Sequence, residues 1–218
     1  MKNYYKKHRH ENLNWKKVME KETRNSPITY FPKEDGNGFY PYVVLPFERE
    51  CSPQYLRAVR EGFLYMLEEE LERADTVILP EAKGFTFAYV FSDLGLNIAF
   101  ARKRDYRLPN QIRIKQRKAY KGECNEMFIV GMNKDEKVII ADSIISSGNT
   151  MIGIIKGLEE QTNCEIVGIG AVYERGDGIK RIKEETGYEA KGLARLEIEN
   201  GKPKIKKFFD EDEKLKYC

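Results

Sequence analysis

Histidine and cysteine are scarce in this chain, and neither is placed to build a metal or disulfide site. The two histidines, His8 and His10, sit in a basic run with no acidic or cysteine partner at ligand spacing. Cys51, Cys124, Cys164 and Cys218 are far apart and form no Cys-x-x-Cys pair, so neither a zinc cluster nor a disulfide framework is indicated. They suit a reducing compartment. Long apolar runs are missing as well. The first thirty residues hold no apolar signal core and no stretch is long enough to span a bilayer, so a soluble cytoplasmic protein with no membrane partner is expected. Net charge is only +3, from 38 Lys and Arg against 35 Asp and Glu, which gives no electrostatic reason to expect a nucleic-acid partner. No internal repeat or low-complexity tract is present. With 41% hydrophobic residues over 218 positions the chain can bury a good core, most simply as one folded unit.

The most informative stretch runs from Val138 to Met151. Val138-Ile139-Ile140-Ala141 reads as a strand covered on both faces, with Asp142 where it ends. Ser146-Ser147-Gly148-Asn149-Thr150 makes a small-residue turn, and Met151, Ile154, Ile155 and Leu158 then recur at helical spacing. A strand, a small-residue loop and a helix N-terminus together suit phosphate, because the first helical turn offers unpaired N–H groups and the positive end of the helix dipole. A carboxylate just before that loop repels the phosphate itself but can accept hydrogen bonds from the hydroxyls of a sugar carrying it. The plainer alternative is that Ser147 or Thr150 caps the helix and Asp142 is a solvated strand end.

Alternating strands and helices elsewhere argue for an open, mostly parallel α/β sheet flanked by helices. Ser52-Pro53 is a helix start, followed by a stripe of Leu56, Val59, Phe63, Met66, Leu67 and Leu71. Thr76–Leu79 is a strand that ends in Pro80-Glu81-Ala82-Lys83-Gly84, before a helical run from Phe85 to Leu94. Asn97–Ala101 is the next strand and delivers Arg102-Lys103-Arg104 at its end. From Asp105 to Glu123 the apolar pattern fades while cations accumulate, as in a lid. Further strands are expected at Glu126–Val130, Ile166–Val172, Ala190–Ile198 and Pro203–Lys206, with a helix from Ile179 to Glu185 and an Asn200-Gly201 hairpin turn. Because ligands of such sheets bind at the carboxyl ends of the strands, Tyr173 is placed beside the bound molecule. Ahead of all this lie a basic arm, with a short helix near Trp15–Met19, and an aromatic, Pro- and Gly-rich segment from Ser26 to Phe47. The division read is an arm and hood over 1–50 and an α/β core over 51–218.

Asp142-Ser143-Ile144-Ile145-Ser146-Ser147-Gly148-Asn149-Thr150 resembles the phosphoribosyl pyrophosphate (PRPP) motif of type I phosphoribosyltransferases. Glu81-Ala82-Lys83-Gly84 resembles the pyrophosphate loop of the purine branch, which includes the adenine enzymes and the archaeal hypoxanthine enzymes. The chain departs from the family where Ser143 replaces a second acid and Asn149 a second glycine. The resemblance implies a small hood over the sheet and transfer of phosphoribose from PRPP to a purine base. Residues 143–150 would hold the phosphate, and Glu81, Ala82, Lys83, Gly84, Arg102 and Lys103 the pyrophosphate. Asp142, Arg102 and Tyr120 would act in catalysis, and Phe39, Tyr40 and Tyr173 would meet the base, although Phe39 and Tyr40 could equally pack the hood. It also implies Mg²⁺ delivered with PRPP, no resident metal, a cis peptide in the pyrophosphate loop as in many members, and a homodimer. Loss of the second acid keeps one alternative open: a catalytically weak PRPP- or nucleotide-binding regulator of the same fold.

Overall fold

Short runs of β-branched and apolar residues pair here into one sheet that is buried on both faces. The computed structural model describes residues 13–33, 36–117 and 124–209. Strands β3 (Thr76–Pro80), β4 (Asn97–Ala101), β7 (Lys137–Ile145), β8 (Glu165–Glu174) and β9 (Lys191–Glu199) are parallel to their neighbours, and β10 (Lys202–Phe208) closes one edge antiparallel to β9. The order across the sheet is β10-β9-β8-β7-β3-β4. Asn200 and Gly201, with φ of 50° and 72°, make the turn between the last two strands.

Alternation along each strand feeds two cores. Val77, Leu79, Ile139 and Ala141 point to one, while Ile78, Val138 and Ile140 point to the other. The first core is covered by α1 (Trp15–Arg24), α2 (Pro53–Met66), α3 (Glu68–Arg73) and α4 (Ala88–Asp93). Ser52 caps α2 by accepting the Tyr55 N–H at 3.1 Å, and Val59, Phe63, Met66, Leu67 and Leu71 of the sequence stripe are buried. Met19 of α1 and Leu45 and Phe47 of the following segment sit in the same core.

The second core lies under α5 (Asn149–Gln161) and α6 (Gly178–Thr186). Met151, Ile154, Ile155 and Leu158 are all essentially fully buried there. A hairpin of β5 (Ile112–Arg117) and β6 (Cys124–Ile129) lies against α5. Of the segment read as a lid, Asp105–Gln111 holds no helix or strand and Ile112–Arg117 is β5, where Ile112 and Ile114 turn inward beside outward Arg113 and Lys115; residues 118–123 lie outside the described residues. Gly157 lets the hairpin approach, since a Cβ there would stand 3.0 Å from the Ile114 side chain. Tyr120 lies outside the described residues. A separate hairpin of β1 (Ile28–Pro32) and β2 (Phe39–Val43) lies in the segment read as the hood.

Candidate active site

Strand β7 does not stop at Asp142. It continues through Ile145, paired with β8 up to Ile145–Glu174, and the turn to α5 is only Ser146, Ser147 and Gly148. Gly148 is the N-cap, in a left-handed conformation with φ of 78°, and no side chain caps the helix. Ser147 Oγ accepts only a long hydrogen bond of 3.5 Å from the Asn149 N–H. This end of α5 therefore keeps the donors and the dipole that an anion would use. The loop is braced from outside. Arg181 of α6 donates to the Ser147 carbonyl at 2.6 Å and pairs with Glu185 at 2.8 Å, and Gln116 of β5 donates to the Thr150 hydroxyl. Gly178 sits so close that a Cβ there would run into the Ser146 carbonyl and the Gly148 amide.

Asp142 sits half-buried on the sheet, upstream of this loop. Burial raises its pKa from 3.8 to about 6, opposed by the Ser143 N–H and hydroxyl and by the nearby Lys83 charge. Both Ser143 bonds go to Oδ1, at 2.6 Å and 3.1 Å, and no hydrogen bond among the described residues is made to Oδ2. Ser143 itself is 1% exposed, so its side chain supports Asp142 and does not reach a phosphate. Ile144 and Ile145 likewise correct the sequence reading. Their side chains pack inward on opposite faces of the sheet and set the spacing between Asp142 and the loop.

Strand β3 lies beside β7, and β4 lies beyond it at the edge of the sheet. The Glu81–Ala82 peptide is cis, and Gly84 is buried in a 3₁₀ turn from Lys83 to Phe87. The Glu81 side chain acts as a brace: its carboxylate accepts the Lys103 N–H at 3.1 Å and lies 3.7 Å from Arg102 Nε. Arg102 is locked to β6 by two backbone hydrogen bonds with Phe128, of 2.9 Å and 2.7 Å, and its guanidinium stands over Phe85 at 5.7 Å. Its side chain is 47% exposed and, like that of Lys103, is available to an anion in the crevice. Lys83 is already engaged. Its ammonium lies 2.7 Å from Glu48 Oε1 and donates to the Tyr42 hydroxyl.

Tyr173 is the clearest correction. The ring is fully buried and its hydroxyl bonds Thr23 at 2.7 Å and Tyr55 at 3.1 Å, because β8 turns this position toward α1 and α2. It ties core helices together and does not meet a base. Phe39 and Tyr40 remain exposed on β2, and Tyr40 clusters with Phe31, which also stacks edge-on to Tyr42. Tyr42 and Glu48 are the residues that the sequence reading missed. Nothing in their local pattern marked them; only Lys83, 35 and more positions away, reveals them.

The phosphoribosyl transferase domain matches residues 52–189, from the cap of α2 to just past α6. The chain belongs to this family. Among its relatives, the hypoxanthine/guanine phosphoribosyltransferase of Methanothermococcus okinawensis is 36% identical over 170 residues, covering 76% of this chain and 89% of that one. The enzyme of the same name from Methanocaldococcus vulcanius is 32% identical over 190 residues, covering 84% and 97%. Adenine phosphoribosyltransferase from Leishmania tarentolae superposes with a TM-score of 0.64 at 19% identity, over 84% of this chain and 87% of that one. The Trypanosoma brucei enzyme, solved with AMP, pyrophosphate and ribose-5-phosphate, gives 0.63 at 15% identity, over 85% and 81%. These structures establish the type I phosphoribosyltransferase fold for the chain, an open and mostly parallel sheet between helices. Among the described residues no helix is long and apolar enough to cross a membrane.

Proposed function

We propose that this phosphoribosyltransferase moves the 5-phosphoribosyl group of PRPP to a ring nitrogen of a 6-oxopurine, hypoxanthine or guanine, releasing pyrophosphate. The observation that carries this reading is the uncapped N-terminus of α5 with Asp142 upstream and two cationic strand ends beside it. The two archaeal relatives bear the hypoxanthine/guanine name at 36% and 32% identity, which supports the choice of base.

The 5′-phosphate would sit on the amides and hydroxyls of Ser146–Thr150, a site whose shape is fixed before binding by Arg181, Gln116 and Gly178. Asp142 Oδ2 would accept a ribose hydroxyl. Arg102, Lys103 and Lys83 would face the pyrophosphate, where charge builds as the C1–oxygen bond breaks. In that step the base nitrogen forms the new bond to C1, the electron pair of the broken bond leaves with pyrophosphate, and the nitrogen's proton passes to water or to the leaving group. With an oxocarbenium-like transition state, positioning and charge stabilisation do most of the work. Mg²⁺ belongs to the substrate in this scheme, neutralising PRPP oxygens, and a single ionised Asp142 with one free oxygen is compatible with that. The base would stack on the aromatic cluster of Phe31, Tyr40 and Tyr42, of which the Tyr42 ring lies 4.9 Å from Lys83 Nζ. A homodimer is part of the same proposal, and sedimentation equilibrium of the purified chain checks it.

The test is incubation with Mg²⁺-PRPP and a panel of purine and pyrimidine bases, with products identified by mass. Formation of the hypoxanthine or guanine nucleotide supports the reading. Turnover on adenine alone would correct the base, and PRPP binding without turnover on any base would leave the regulator.

A further inference from the structure

Glu48 belongs to no motif, yet its carboxylate joins three segments. It accepts the Leu45 N–H at 3.1 Å, the hydroxyl of Tyr42 from the hood hairpin, and the ammonium of Lys83 from the pyrophosphate loop at 2.7 Å. Lys83 in turn donates to the Tyr42 hydroxyl, and its Nζ lies 4.9 Å from the centre of that ring. The Glu48 side chain is 14% exposed and that of Lys83 35%, so the pair is only partly screened by water. Burial by itself would lower the Lys83 pKa, but the bonds to Glu48 and Tyr42 and the charge of Glu48 outweigh it, and the net shift is upward. Lys83 is thus held as a cation by an acid of its own chain.

Resting on the phosphoribosyl transfer proposed above, we infer that Glu48 is a positioning residue that competes with the pyrophosphate group of the substrate for Lys83. The hood and the pyrophosphate loop are then latched together in the empty site and released when pyrophosphate takes the ammonium. Three features make the exchange cheap. The lysine stem is flexible and its ammonium is a point charge that can swing to a second anion. Glu48 keeps the Leu45 N–H and the Tyr42 hydroxyl after Lys83 leaves, so no carboxylate is stranded. Finally, Arg102 and Lys103 are fixed by backbone and by Glu81, so they hold the pyrophosphate while Lys83 moves.

The experiment is calorimetric titration of the full chain and of Glu48→Gln with Mg²⁺-PRPP, inorganic pyrophosphate and ribose 5-phosphate. Glutamine keeps the length and an acceptor for the Leu45 N–H while removing the charge that Lys83 must abandon. Pyrophosphate and PRPP should bind Glu48→Gln about fivefold more tightly, the size of a partly exposed ion pair, with ribose 5-phosphate unchanged. Equal or weaker pyrophosphate binding by a folded Glu48→Gln overturns the latch. Glu48→Asp, which keeps the Tyr42 hydroxyl in place but shortens the carboxylate's reach to Lys83, provides a second variant and should tighten pyrophosphate binding about twofold; no change there with an unfolded Glu48→Gln also overturns it. A parent chain that binds neither PRPP nor pyrophosphate removes the phosphoribosyl reading itself, whereas equal binding by parent and variants removes the latch alone.

Discussion

On the proposed reading, the crevice has a phosphate half and a pyrophosphate half that are built differently. The phosphate half, around Ser146–Thr150, comes from one continuous strand, turn and helix, and is braced by α6 and β5 into a site that needs no rearrangement. The pyrophosphate half is assembled from the ends of β3 and β4 and the hood, and contacts of two carboxylates with distant residues hold it: Glu48 with the Lys83 ammonium, and Glu81 with the Arg102 side chain and the Lys103 N–H. A preformed cradle suits the phosphate that both substrate and product carry. Exchangeable ion pairs suit the group that must leave.

If the comparison is right, damage to the first half should be severe and damage to the second graded. Asp142→Asn should have the largest effect, cutting kcat/KM for PRPP by about a hundredfold or more, since it replaces the one carboxylate positioned for the ribose. The same substitution should stabilise the protein at neutral pH. The folded pKa of Asp142 is raised to about 6, so stability tied to its neutral form is fully present below pH 3.8 and lost as pH rises through 6. A shift of this size corresponds to ~3 kcal/mol at most, or several degrees in Tm at pH 7.5, shrinking toward zero below pH 4. Thermal melts of both proteins across that range check it; an Asp142→Asn chain less stable at pH 7.5 than the parent would contradict the buried-charge account.

Gly178→Val should come next. Its side chain would collide with the Ser146 carbonyl and the Gly148 amide and push the loop out of shape. Ribose 5-phosphate affinity should fall by about tenfold or more, with a loss of stability on the order of 2 kcal/mol, measured by calorimetry and chemical denaturation. In the other half, Glu81→Gln should raise the KM for PRPP by only about three- to fivefold, because Arg102 keeps its backbone bonds to Phe128 when the carboxylate charge is lost. Its ribose 5-phosphate affinity should stay at the parent value. A Glu81→Gln defect as large as that of Gly178→Val would erase the distinction between the two halves.

How much of this was legible in the sequence follows the same divide. The strand, acid, turn and helix of residues 138–161 are contiguous, so periodicity and turn chemistry exposed them, and the parallel sheet followed from the alternation of elements. Glu48 was not legible, because nothing about a carboxylate in Pro46-Phe47-Glu48-Arg49 marks its partner at Lys83. Tyr173 was misread for a related reason. A strand buried on both faces gives no hint of which way a residue near its end points, and the hydroxyl that claims Tyr173 belongs to Thr23, 150 positions earlier. Ile112 and Ile114 were hidden by the cations that alternate with them, Arg113 and Lys115, and α5 supplies the surface that buries them. Ser143 could be seen as a departure from the family, but its bond to the Asp142 carboxylate needed coordinates.

The central claim is that one carboxylate, Asp142, receives the ribose of PRPP and must be ionised to do so. The pH dependence of kcat/KM for PRPP in the parent chain tests it most directly. The account gives a profile that falls on the acid side with a midpoint near pH 6, set by burial of Asp142 against the support of Ser143 and Lys83, and an Asp142→Asn chain whose residual activity lacks that acid limb. A parent profile flat from pH 5 to 8, or an acid limb that survives in Asp142→Asn, would contradict it.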